Sequence, residues 1–258
     1  MSEAAAQAAL ADAVHALRSA RKVVALSGAG ISVASGIPDF RSPGGLWEDF
    51  PPEVYATIEG FLSAPDRSWQ LFRALGKTLV GKLPNDAHRA LAELESSERL
   101  AGIITQNIDG LHQAAGSRVV HEVHGSHQAL ECRHCSWREA FRDELLEDGP
   151  VPACPECDVA LKPAVVLFGE AIREVAPIEE LLAGCDLLIV VGTSAQVYPV
   201  AAYPEAVLAS GGRVIDINIE PTPLAGRPGV ISLEGDAAEV LRDVVDRLAH
   251  GNSGPGGP

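Results

Sequence analysis

Four of the five cysteines stand as two pairs, Cys132-x2-Cys135 and Cys154-x2-Cys157, with 18 residues between the pairs. That spacing fits a four-cysteine zinc site. Zinc prefers thiolate, and four thiolates close its tetrahedron with no position left for water, so the ion would be structural. A redox role for each CxxC is the alternative, which two such pairs at this spacing disfavour. His127 and His134 lie beside the cysteines but are not needed as ligands. Cys185 precedes an apolar run and reads as a packed core thiol.

A second group of reactive side chains is polar. Gln106, Asn107 and Asp109 follow the short apolar run Gly102-Ile103-Ile104-Thr105. The C-terminal end of such a strand is where open α/β sheets bind ligands. His124 stands before Gly125 and after a further apolar stretch. Imidazole titrates near neutrality, so His124 is a candidate general base. His88, His112 and His121 read as structural or surface residues.

The third group lies in residues 23–41, VVALSGAGISVASGIPDFR. An apolar run feeds a turn carrying Gly28, Gly30 and Gly36. Glycines let a backbone approach phosphate, and the N–H groups of a following helix attract anions. The first half of a dinucleotide fingerprint is present, but Val33 stands where its third glycine belongs. An ordinary strand-to-helix turn therefore stays open as the structural reading. Beyond the turn, Asp39, Phe40 and Arg41 set an acid, an aromatic and a base side by side.

These residues need a scaffold. Residues 3–20 have helical spacing, and Asn85 is a plausible cap for a helix over 87–94. Apolar runs at 23–26, 102–105, 164–168, 187–191 and 214–217 read as buried strands, with helices over 199–210 and 237–248. Strands alternating with helices predict an α/β fold with a doubly wound, mostly parallel Rossmann-like sheet. Residues 1–45, 83–126 and 162–250 would form it. Residues 46–82, rich in aromatics, form a helical module packing on itself, and 127–161 a zinc-binding module, together making a smaller lobe. Residues 251–258 read as a flexible tail.

Composition narrows the partners. A net charge of −15 without a basic face argues against nucleic acid. No run approaches the length of a membrane span, and the Ala-rich start lacks the pattern of a signal peptide, which predicts a cytoplasmic protein.

Taken together, residues 28–42 (GAGISVASGIPDFRS), 105–112 (TQNIDGLH), 124–125 (HG), 162–170 (KPAVVLFGE), 192–199 (GTSAQVYP), Asn218 and the cysteine pairs resemble the sirtuin family. The resemblance runs from about residue 23 to 248 and implies an NAD-dependent protein lysine deacylase. It implies that ADP-ribose passes from nicotinamide to the acyl oxygen through an oxocarbenium-like centre, with His124 activating a ribose hydroxyl. Asn107 and Asp109 would hold the carboxamide and its water network, Gln106 would lie near the ribose, and Ile108 would also contact the cofactor. Ala29, Ile37 and Asp39 would line the nicotinamide pocket beside Gly28 and Gly30. Phe40 would exclude water, and Arg41 would reach the phosphates. Gly192, Thr193, Ser194, Asn218 and Asp236 would serve the phosphate and adenosine end. Val166, Phe168 and Val197 would line the acyl tunnel. Gly169, Glu170 and Tyr198 would help hold an acetyl-lysine peptide as an added strand.

One departure bears on the substrate. The family's Tyr-x-x-Arg pair for acidic acyl groups is missing between Trp47 and Lys82, where Tyr55 is followed by Ile58. Acetyl-lysine is expected over succinyl-lysine. NAD glycohydrolysis or ADP-ribosyl transfer, and a non-enzymatic NAD sensor, are the competing readings at this point.

Overall fold

A computed structural model describes residues 3–38 and 45–250. The chain opens with α1 (Glu3–Ser19) and β1 (Val23–Ser27), followed by a 3-10 helix, Ala29–Ser35. Four helices come next: α2 (Leu46–Asp49), α3 (Pro52–Tyr55), α4 (Ile58–Ser63) and α5 (Pro65–Leu79). Then come α6 (Asp86–Ser96), β2 (Gly102–Thr105), α7 (Leu111–Ala114) and β3 (Val120–Glu122). β4 (Gly125–Glu131), β5 (Arg138–Ala140) and β6 (Lys162–Val165) follow. The remainder is α8 (Val175–Leu182), β7 (Leu187–Val191), α9 (Ala202–Ala209), β8 (Arg213–Asn218), β9 (Val230–Glu234) and α10 (Ala237–His250).

Six strands form one parallel sheet in the order β3-β2-β1-β7-β8-β9. Alternate residues of each strand bury on opposite faces, as an apolar run covered on both sides must. Val23, Ala25, Ile189 and Ile215 pack with α1, α6 and α10, whereas Val24, Leu26, Leu188 and Val214 pack with α8 and α9. The strand order reverses between β1 and β7, and that crevice is where such sheets bind ligands. Asn85 caps α6 as expected, and His88 closes a reciprocal capping box with it.

Two expectations need correction. The run 164–168 does not extend the parallel sheet; β6 pairs antiparallel with β4 in a separate three-stranded sheet, β5-β4-β6. Nor does the helical module pack on itself alone. Phe61, Trp69 and Phe72 share one buried cluster with Leu130, Cys132, Cys154, Leu161 and Val165. Trp69 also donates its indole N–H to the Leu161 carbonyl at 2.8 Å. Helical and cysteine-bearing segments thus form one lobe with one core. The strands β3 and β9 and the helix α8 lie in stretches without a clear apolar period. No helix of the described residues is long and apolar enough to cross a membrane. The expected tail, 251–258, lies outside the described residues.

Candidate active site and metal centre

At the reversal between β1 and β7 the two strand-end loops touch backbone to backbone. Gly28 N–H donates to the Val191 carbonyl at 3.1 Å, and Gly30 N–H to the Gly192 carbonyl at 2.8 Å. A Cβ on Gly28 would lie 2.7 Å from Thr193 Cβ, and one on Gly30 would lie 2.7 Å from Gly192 Cα. Gly192 has a φ of +61°, and a Cβ there would lie 2.2 Å from the Ile31 nitrogen. The glycines are therefore demanded by this loop contact itself. The element after β1 is a 3-10 helix, and Gly36 ends it with a φ of 77°. Ile37 is buried at its exit. Asp39, Phe40 and Arg41 lie outside the described residues.

Three polar side chains from the loop after β2 converge here. Gln106 Nε2 donates to Thr193 Oγ1 at 2.8 Å, joining this loop to the one after β7. Asn107, 7% exposed, donates from Nδ2 to the Gly28 carbonyl at 3.2 Å and to Ser32 Oγ at 3.1 Å. Asp109 accepts from Ser32 Oγ at 2.7 Å and from the Leu111 N–H at 2.9 Å. Ser32 thus ties both residues to the glycine turn, a role its sequence context did not announce. Ile108 packs against the core of the small lobe.

His124 lies between the two sheets. Its Nδ1 is 3.0 Å from the Gln106 carbonyl, which can only accept, so Nδ1 carries the proton and Nε2 is the basic atom. Burial holds its pKa below the ordinary imidazole value, partly offset by that hydrogen bond. Its own carbonyl accepts from the Val166 N–H at 2.8 Å, setting Val166 beside it. Beneath the site, His112 donates from Nε2 to Ser27 Oγ at 2.8 Å, and Ser27 Oγ donates to Thr105 Oγ1 at 2.8 Å. Burial brings His112 down to about 3, and His88, in edge contact with it, to about 4. Both are fully buried.

Of the residues assigned to the acyl and peptide side, Phe168 is 54% exposed and Tyr198 is 77% exposed, so both present ring surface to solvent. Phe168 is already paired on one side, donating to the Ala56 carbonyl and accepting from the Ile58 N–H. Glu170 turns its side chain inward, bonded to the Leu167 N–H at 2.9 Å and paired with Arg133 at 2.7 Å and Lys162 at 3.4 Å. Its N–H is bonded to the Leu167 carbonyl at 3.0 Å, so of its polar groups only the carbonyl is left for a partner strand. Val197 is half-buried and Gly169 has a φ of +91°.

Of the residues assigned to the adenosine end, Ser194 is exposed and Asn218 ends β8. Gly235 N–H donates to the Asn218 carbonyl at 3.0 Å, which places Asp236 next to it. Asp236 spends one carboxylate oxygen capping α10 through the Ala238 and Glu239 N–H groups.

The cysteines meet as their spacing predicted. All four sulfurs lie within 4.8 Å of one another, with Cys132–Cys157 at 3.4 Å, Cys135–Cys154 at 3.6 Å and Cys135–Cys157 at 3.9 Å. Tetrahedral Zn–S bonds near 2.3 Å require sulfurs roughly 3.8 Å apart, so the donor set fits. The N–H groups of His134 and Cys135 donate to Cys132 Sγ at 3.3 and 3.4 Å. Burial opposes ionisation of Cys132, but these donors bring it down to about 6. Cys135 moves up to about 12: the Trp137 N–H lowers it, and burial and the other sulfurs outweigh that. A central divalent cation relieves the conflict. His127 donates elsewhere, to the Phe72 carbonyl at 3.0 Å, and Cys185 is a buried thiol bonded to the Leu187 carbonyl at 3.3 Å.

The family model described as "Sir2 family" matches residues 28–199, which hold the glycine turn, His124 and all four zinc-site cysteines. The chain belongs to the Sir2 family. Among the most similar relatives is NAD-dependent protein deacylase 2 of Pyrobaculum aerophilum, 42% identical over 90% of this chain and 93% of that protein. The NAD-dependent protein deacetylase of Sulfurisphaera tokodaii is 43% identical over 87% of this chain and 90% of that protein. A solved Sir2 complex with a deacetylated p53 peptide and 3′-O-acetyl ADP ribose superposes with a TM-score of 0.85. It is 34% identical and covers 92% of this chain and 98% of that one. The fold expected from the sequence is therefore the Sir2 fold, a parallel six-stranded sheet with a four-cysteine module.

Proposed function

We propose that this Sir2-family chain is an NAD-dependent protein lysine deacetylase. It consumes NAD and releases nicotinamide, O-acetyl-ADP-ribose and deacetylated lysine. The observation that carries the reading is His124, with its Nδ1 proton fixed by the Gln106 carbonyl and its Nε2 left basic, next to the crossed loops of β1, β2 and β7.

NAD, once bound, supplies the leaving nicotinamide and the ribose that takes up the acyl group. The chain's residues do the rest. Gly28, Ala29 and Gly30 with Gly192, Thr193 and Ser194 form the floor for the diphosphate and ribose. Asn107 and Asp109, held by Ser32, orient the carboxamide, with Ile37 closing the pocket. His124 takes a proton from a ribose hydroxyl so that its oxygen can attack the acyl carbon. Asp39, Phe40 and Arg41 keep the roles the family resemblance implies. Val166, Phe168 and Val197 enclose the lysine stem. The peptide lies between the backbone of 169–170 and that of 194–198 as an added strand, so its sequence is read loosely. Cys132, Cys135, Cys154 and Cys157 hold one zinc ion, which stabilises the small lobe. A soluble cytoplasmic setting with acetylated proteins as partners, and no nucleic acid, completes the proposal.

The test pairs acetyl- and succinyl-lysine versions of one peptide with NAD. Acetyl turnover at least about tenfold faster is expected, because Tyr55 has no arginine three residues on to receive an acid. Equal efficiency on both refutes the acyl preference, and no NAD-dependent turnover of either refutes the activity.

A further inference from the structure

Asp216 is a buried acid that the mechanism above does not use. It lies in β8 at 3% exposure, two residues before Asn218 and therefore on the same face of the strand. Its Oδ1 accepts from Asn218 Nδ2 at 2.6 Å, and its Oδ2 accepts from Thr222 Oγ1 at 2.5 Å. The Thr222 hydroxyl is itself turned this way, since its oxygen already accepts the Leu224 N–H at 3.1 Å. Both carboxylate oxygens are thus acceptors in use, as an ionised acid requires.

The consequence falls on Asn218. An amide can present either its oxygen or its nitrogen, and a carboxylate decides between them, because only the NH2 group can donate to it. Among the described residues no group donates to the Asn218 oxygen. We propose that Asp216 is a positioning residue that holds the Asn218 oxygen toward the adenosine ribose, so that the site selects NAD over NADP. This rests on reading Asn218 as the adenosine-ribose contact.

A ribose hydroxyl donates to a fixed carbonyl oxygen. A 2′-phosphate has no proton to offer at neutral pH, and it meets a carbonyl dipole backed by a buried carboxylate. Glu220, two residues beyond Asn218, adds exposed negative charge in the same neighbourhood. The dinucleotide-binding fold normally puts an acid on the ribose about 20 residues past its glycine turn. At that spacing this chain has Glu48 and Asp49 in the short helix α2, not at a strand end, and Asp216 acts through an amide in their place.

NAD and NADP binding to the zinc-loaded full-length protein, measured by titration calorimetry, tests this with Asp216→Ala, Asp216→Asn and Asn218→Ala. Asp216→Ala and Asn218→Ala should each weaken NAD about tenfold, and the double variant should lose no more than either. KM for NAD should rise in Asp216→Ala while kcat at saturating NAD holds. Asp216→Asn keeps an acceptor and loses the charge. It should bind NAD within about threefold of the parent and narrow the NAD-over-NADP preference about tenfold. Thermal unfolding checks each fold, and if Asp216→Ala fails to fold, Asp216→Asn decides. Normal NAD binding by folded Asp216→Ala beside a weakened Asn218→Ala would overturn the proposal alone. Normal binding by Asn218→Ala would overturn the ribose assignment and the proposal with it. An unchanged NAD-over-NADP ratio in Asp216→Asn also contradicts it.

Discussion

His124 is where protonation state and geometry meet most directly. One nitrogen is committed to the Gln106 carbonyl, so the ring has a single basic atom to offer. Replacing it by alanine should cut deacetylation at least about a hundredfold while NAD still binds, since general bases contribute on that order. Turnover within tenfold of the parent in a peptide assay would remove it as the base. Its pH behaviour has a definite sign. Burial lowers its pKa, so the neutral, basic form persists below the ordinary value near 6.5. The acid limb of kcat against pH should therefore bend below about 6.5, and a bend above that value contradicts the assignment. The position of His124 close to the loop after β2 was legible from its place before Gly125 and after an apolar run. The partners of Glu170 and Asn107 were not, because Lys162, Arg133 and Ser32 reach them across turns that no local period encodes.

Among the elements, the strand ends carry most of the site. The glycines of the β1 turn have the spacing for phosphate approach. Their first requirement is the β7 loop, about 160 residues away in sequence, and only the strand order brings the two together. A Gly30→Ala change should thus destabilise the protein by roughly 1–3 kcal/mol even without NAD, because its Cβ meets backbone and not a flexible side chain. The midpoint of urea unfolding of the NAD-free protein reads this, and an unchanged midpoint contradicts the contact. Below the same loops, His112 and His88 have folded pKa values of about 3 and 4. A depressed folded pKa makes its contribution above the unfolded value, and that contribution is lost as pH falls. Each neutral imidazole should cost about 1.4 kcal/mol per pH unit below 6.5, until its folded value is reached. His112→Gln should flatten the decline of thermal stability between pH 6.5 and 4, as followed by circular dichroism. A parallel decline in parent and variant counts against it.

On the scale of the whole molecule, the chain is a parallel sheet that carries the cofactor crevice and a second lobe that frames it. Zinc spacing and buried strands were legible because each is written in short-range pattern: two CxxC pairs, and apolar runs of strand length. The membership of β6 was not, since an apolar run says that a strand is buried but not in which sheet. Its pairing with β4 brings the 168–170 segment of the acyl side to the metal lobe. The aromatic helices share that lobe's core, so stripping the metal should loosen more than the cysteine loops. Purified protein should hold about one zinc per chain, and chelation should lower the thermal midpoint because structural zinc contributes folding energy. Protein that is free of zinc and equally stable contradicts this.

The central claim is a reaction with a distinctive product, and mass spectrometry of one mixture reads it. The protein is incubated with NAD and an acetyl-lysine peptide, and the small molecules and the peptide are weighed. The account predicts O-acetyl-ADP-ribose and nicotinamide in step with a peptide lighter by one acetyl group. Free ADP-ribose with the peptide unchanged, or a peptide heavier by one ADP-ribosyl group, would contradict it.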